Sequence, residues 1–321
     1  MKVGISALFD PQATAHARTL ERALAVARDK VPGAGRLAFD RVDDGATANG
    51  AEQAARQLIG HDIDALIGPF GSDAVVGALH LYVAAGIPVF LPAATIDLGA
   101  LPEGVFRLCP NDRAIAQAIL DRIRERGFQT IRVLSDGSPH YLALKSKVER
   151  LLATAAVSTD DIVPAQHPMA TVFLGRLEAS RDWLRGFRQG GEAEPVLFSD
   201  DAADPSVTRE LTSMGDVEAL AVPDSRDLEG ARPFAAHHRN LFGEEPGTYF
   251  HEVIAAVQLV ANLALRRAAQ SARSVPPCFD GVPTVFGPAR FVGGENERAT
   301  LVWKNLGAAS TGVVFSQEAR S

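Results

Sequence analysis

The stretch IDALIGPFGSDAVVGALHLYVAAGIPVFLPAAT, residues 63–95, carries the fold in outline. Its first apolar run stops at Gly68. A helical pattern begins near Ser72 and lasts to about residue 85, and a second short apolar run, IPVFLP at 87–92, follows. A strand, a helix and a strand in so little chain make a right-handed βαβ unit, with the two strands parallel. The glycines and small polar residues of IGPFGSD (67–73) then stand where a strand hands over to a helix.

The same alternation extends in both directions. Upstream, KVGISAL (2–8) reads as a strand, 16–30 as a helix, RLAFDRVDD (36–44) as a strand and NGAEQAARQLIGH (49–61) as a helix. Downstream of VFRLCPND (105–112) the pattern restarts. Helices are expected from 114 and over 142–156, with strands at TIRVLSD (130–136), TVFLG (171–175), PVLFSD (195–200) and EALAVPD (218–224). Residues 232–272 return to long helix, and 284–292 and 299–305 read as closing strands. The fold class is therefore α/β, with two doubly wound parallel-sheet lobes.

Composition narrows the function. With 321 residues, 46% hydrophobic and 22% charged, the chain suits two globular lobes, and no apolar run is long enough to span a membrane. A net charge of −7 argues against a nucleic-acid surface, which needs clustered Lys and Arg. Cys109 and Cys278 are isolated, HEVIA at 251–255 is not HExxH, and no metal or cofactor is expected. The start, MKVGISALFDP, reads as a strand rather than a secretory signal. Either a signal was removed or missed and the protein is periplasmic, or it is cytoplasmic.

Ligands of open parallel sheets bind outside the carboxyl ends of the strands. Gly68 and Gly71 allow close backbone approach there, Ser72 can cap the next helix, and the exposed amides favour a carboxylate. The plain alternative is that Ser72 is only an N-cap. IPVFLP ends at the same edge and delivers Ala93, Ala94 and Thr95, so two hydroxyl-bearing loops lie side by side. The phosphate signatures GxxxxGK[ST] and GxGxxG are absent, as is a GxSxG elbow.

The run 64–95, with VFRLCPND, RVDDGATANGAEQAARQLI (41–59) and VLSDGSPHYLALKSKVERLL (133–152), resembles the type I solute-binding proteins of branched-chain amino-acid transporters, the leucine/isoleucine/valine-binding group. The resemblance is clear from 36 to 160 and weaker beyond. It implies two lobes, 1–113 with 227–289 and 114–226 with 290–321, joined by a three-strand hinge and closing on a small amino acid or related carboxylate for an ABC permease. It places Ser72 and Thr95 at the carboxylate through hydroxyl and amide groups and the Ala93 carbonyl and Thr95 hydroxyl near the ammonium, with Gly71 and Ala94 among the ligand-binding residues. Tyr141 becomes a lid residue, and Asp200, with Asp201 as fallback, takes the ammonium. Phe9 and Asp10 line the mouth, and Tyr249 either lies near the cleft or has a capping or surface role. Arg176 either binds an additional acid group or is a solvated arginine. The apolar side of 253–265 is core or a homodimer face. The alternative function is a cytoplasmic amide sensor of the same fold acting on a regulatory protein; an enzyme has no positive feature.

Overall fold

The computed structural model describes residues 1–155, 157, 169–204, 215–270 and 278–306. The ends of the expected helices at 156 and 271–272, and residues 307–321 of the expected second lobe, lie outside the described residues. The chain divides into two compact units, Met1–Asp112 with Pro223–Thr300, and Arg113–Val222 with the chain from Leu301 onward.

The first unit contains β1 (Lys2–Ala7), α1 (Ala15–Lys30), β2 (Ala38–Asp43), α2 (Ala48–Gly60), β3 (Ala65–Ile67), α3 (Ser72–Ala84), β4 (Val89–Leu91) and β5 (Val105–Arg107). Its sheet runs β12-β13-β5-β4-β3-β1-β2, where β12 is Phe291–Val292 and β13 is Glu295–Asn296, and β10 (Pro283–Thr284) and β11 (Gly287–Pro288) form a separate antiparallel pair. All neighbours in the larger sheet are parallel except the β12–β13 pair. Alternation along the strands sorts the side chains onto two faces. Val3, Ile5, Ile67 and Phe90 pack with α1 and the long apolar helix near 250–270, whereas Leu66, Val89, Leu91 and Val105 pack with α2 and α3. Helices on both faces bury both sides of the sheet, which is why its strands read as continuous apolar runs.

The second unit holds α4 (Asp112–Arg126), β6 (Thr130–Ser135), α5 (Pro139–Thr154), β7 (Met169–Leu174), α6 (Leu177–Gln189), β8 (Val196–Phe198), β9 (Val217–Ala221) and β14 (Val302–Asn305). Its sheet order is β14-β9-β8-β7-β6, parallel except where β14 runs antiparallel to β9. Val172, Leu174 and Leu197 meet α4 and α5 on one face. On the other, Phe173 stacks on Trp183 of α6 at 4.5 Å, and Trp183 stacks on Phe187 at 4.6 Å.

Two expectations shift. The helical pattern over 232–272 is two helices, α7 (Arg232–Phe242) and α8 (Phe250–Gln270), parted where Gly243 takes φ +72° and Tyr249 φ +67°. The last boundary between units falls after Thr300, not at 289/290, because Glu295 of β13 pairs with Arg107 of β5 and carries 290–300 into the first sheet. The apolar residues of 253–264 are core: Val253, Ile254, Val257, Val260 and Leu263 are fully buried, and Leu265 is the exposed end of that run.

Candidate functional site

At the carboxyl end of the first sheet, the loops after β3 and β4 lie next to each other. Gly68 donates its N–H to the Phe90 carbonyl at 2.8 Å, and Phe70 donates to the Ser6 carbonyl at 3.2 Å. Gly68 sits at φ +112°, and a Cβ there would fall 2.3 Å from the Ser6 oxygen, so only glycine fits. The chain then enters α3. Gly71 is the N-cap and makes no side-chain capping bond, which leaves Ser72 as the first helical residue rather than the cap the sequence suggested. No hydrogen-bond partner of the Ser72 hydroxyl occurs among the described residues. The first-turn amides of α3 are thus uncapped, and the helix dipole adds positive character to them.

The loop after β4 presents Ala93, Ala94 and Thr95. All three are buried, and the Ala94 methyl belongs to the core beneath α2 and α3, so Ala94 can offer only its backbone to a ligand. The Thr95 carbonyl accepts from the Asp112 N–H at 2.7 Å and from Arg107 Nη1 at 2.8 Å. Phe9, after β1, is half-buried with the Arg41 guanidinium over its ring at 4.6 Å, and its N–H donates to Asp43 Oδ2 at 3.0 Å. Tyr249 is buried. Its ring lies 5.8 Å from that of His16 and 6.3 Å from that of Phe70, which removes the reading of Tyr249 as a surface residue.

Below this edge, Ser6 Oγ donates to Asp44 Oδ2 at 2.7 Å, and burial pushes the Asp44 carboxyl up. At the start of α8, Glu252 is fully buried, one of its carboxyl oxygens has no partner, and burial pushes its pKa up to about 8.

The second unit has its own polar set at the carboxyl ends of β6, β7 and β8. Asp136 accepts from Arg176 Nε at 2.7 Å, the Arg176 N–H at 3.0 Å, Ser138 Oγ at 2.6 Å and the Ser138 N–H at 2.9 Å. Burial alone would raise the Asp136 carboxyl, yet these four donors outweigh it and hold it below the usual range. Arg176 is 65% exposed in its side chain, but it is tied to Asp136 rather than being a detached cation. Tyr141 sits in the first turn of α5, buried, its phenol held protonated by burial, by the charges of Asp201 and Asp200, and by a hydrogen bond to Asp201. Asp200 is buried at the end of β8. Ser199, just before it, has a buried hydroxyl with no partner among the described residues.

Residues 6–181 match the family described as periplasmic binding protein, which is more than half of the chain. The chain belongs to that family. No curated protein matches it. Similar solved structures include the branched-chain amino acid transporter substrate-binding protein LivJ from Streptococcus pneumoniae in complex with isoleucine, 17% identical, covering 96% of both chains at TM-score 0.77. The leucine-binding protein LivK from Thermotoga maritima is 15% identical, covering 96% of this chain and 95% of its own at TM-score 0.81. A solute-binding protein from R. palustris in complex with benzoate is 16% identical, covering 95% and 92% at TM-score 0.76. These likenesses establish the shared two-unit α/β fold of this periplasmic binding protein.

Several residues of both edges escape sequence reasoning. Arg107 lies inside VFRLCPND, yet nothing in a single arginine signals full burial. His16 and Phe70 come from separate segments and meet only in the fold. Asp44 and Asp136 do have a signal, since each directly follows a strand and precedes a glycine. Among the described residues no group of three or more His, Cys, Asp or Glu is placed to hold a metal, and no helix is long and apolar enough to cross a membrane.

Proposed function

We propose that this periplasmic binding protein captures a small carboxylate-bearing solute, an amino acid or a related acid, and delivers it to an ABC permease. The observation that carries the reading is the start of α3. Its first turn is uncapped by any side chain, and the Ser72 hydroxyl stands there without a partner among the described residues. A carboxylate supplies what those donors lack, and the Thr95 loop, ending on the adjacent strand, offers a second hydroxyl. The Ala93 carbonyl and Gly71 amide complete the assignment in the first unit, with Phe9 and Tyr249 as flanking apolar groups.

For the second unit, Asp200 is assigned to an ammonium group, with Tyr141 beside it. The relatives' bound molecules frame the choice of solute, since LivJ was solved with isoleucine and the R. palustris protein with benzoate.

A thermal-shift screen of the purified protein against branched amino acids, benzoate and short amides tests the reading, because a solute that binds only the folded state raises Tm by mass action. Ser72→Ala and Thr95→Ala are each expected to weaken the shifting solute roughly 10- to 100-fold, the value of a hydrogen bond to a charged group. Unchanged affinity in both variants would sink the assignment. Asp200→Asn is expected to weaken amino acids and leave benzoate untouched.

A further inference from the structure

Arg107 is fully buried at the end of β5, where a guanidinium is costly unless its donors are used. Its Nη1 donates to two carbonyls of one loop, Thr95 at 2.8 Å and Ile96 at 2.7 Å. Its Nε lies 3.5 Å from Glu295 Oε2 of β13, an ion-pair contact without a hydrogen bond, and neither Nε nor Nη2 has a hydrogen-bond partner among the described residues, so Nη1 alone ties the guanidinium to the loop. Its backbone N–H donates to the Gly294 carbonyl at 2.8 Å. Gly294 sits at φ +83°, with room for no Cβ because the Val105 oxygen would lie 2.3 Å away, so the β12–β13 hairpin is pressed onto the β5 backbone.

The same loop has a second tether. The Asp112 N–H donates to the Thr95 carbonyl at 2.7 Å, and Asp112 Oδ2 accepts from the Asp97 N–H at 3.2 Å. Both acceptor positions of the Thr95 carbonyl are therefore filled, which fixes the direction of that peptide group. Asp112 ends the first stretch of unit one, and β13 immediately precedes the last passage of the chain between units, after Thr300.

We propose that Arg107 is a positioning residue for solute binding. It presets the 93–97 loop through the Thr95 and Ile96 carbonyls, and Glu295 sets the guanidinium that does so. The proposal rests on the reading of Thr95 as a solute anchor. Both carbonyls are held by the one Nη1, whose two N–H bonds are fixed in the guanidinium plane, whereas the shorter, freely rotating ammonium of lysine keeps the charge without that fixed direction and reach.

Hydrogen–deuterium exchange of the unliganded full chain tests it, with Arg107→Lys and Glu295→Gln. In Arg107→Lys the amides of Asp97 and Asp112 are expected to exchange at least tenfold faster, while core amides of α8 keep their rates. Glu295→Gln should produce a smaller increase at the same two amides. Unchanged rates there, or a rise no greater than that in α8, would overturn the proposal. If Arg107→Lys does not fold, Glu295→Gln decides alone in the same terms. In titrations with L-leucine and with benzoate, Arg107→Lys should weaken whichever binds the wild type about tenfold, and equal affinity would also overturn it. Exchange needs no solute. A wild type that binds neither probe therefore counts against the proposed function and leaves the exchange result to judge Arg107.

Discussion

Gly68 and Glu252 show how much of an edge of this kind is decided by single residues. Any side chain at position 68 meets both a left-handed backbone and the Ser6 oxygen. Gly68→Ala is expected to cost about 3 kcal/mol or more and to disorder the approach to Ser72, read as a lower midpoint in urea. Glu252 carries a pH signature. With its carboxyl pushed up to about 8 from 4.5, the folded chain holds a proton that the unfolded chain releases across that interval. Its contribution to stability is complete below pH 4.5 and is lost as pH rises through 8, at no more than about 1.4 kcal/mol per pH unit. Glu252→Gln should remove that slope, gaining on the wild type at pH 9 relative to pH 5. A difference that is the same at both pH values would refute it. At this scale the sequence was only partly legible. The motif around Ser72 was visible, but its place as first helical residue, and the burial of Arg107, depend on partners far along the chain.

Elements were easier to read where periodicity was sustained, and harder where pairing replaced it. The helices α1 to α5 lie close to where the apolar patterns put them, because each buries one face on a sheet. The break between α7 and α8 went unread although Gly243, Pro246 and Gly247 mark it, since apolar spacing resumes on both sides. Strands β12 and β13 have two residues each, too short for any period, and only the Glu295–Arg107 pairing assigns them to the first sheet. The contact between α2 and α3 gives a test at this scale. A Cβ on Gly77 would lie 2.0 Å from the Ala48 oxygen, so the two helices approach through a gap that only glycine leaves. Gly77→Ala is expected to destabilise the first unit by about 1–3 kcal/mol, seen as a lowered far-UV unfolding midpoint.

Across the whole chain, strict strand–helix alternation made the α/β class and the two units readable, while the exact passages between them required three-dimensional pairing. Each unit has its own core and its own polar supports. In the second, Glu218 is nearly buried and accepts from Arg122 at 2.6 and 2.7 Å and from Arg126 at 2.9 Å. Glu218→Gln leaves two guanidinium groups poorly matched and is expected to cost about 1–3 kcal/mol, less than a fully buried pair because both arginines keep some contact with water. The stacked Trp183 of α6 lends this experiment its readout. The chain has two tryptophans, and the other, Trp303 of β14, lies in the same unit. Intrinsic indole emission therefore watches one half of the molecule, and Glu218→Gln should move the fluorescence melting curve to lower temperature. The protein thus comes with its own optical label, already attached to a single unit.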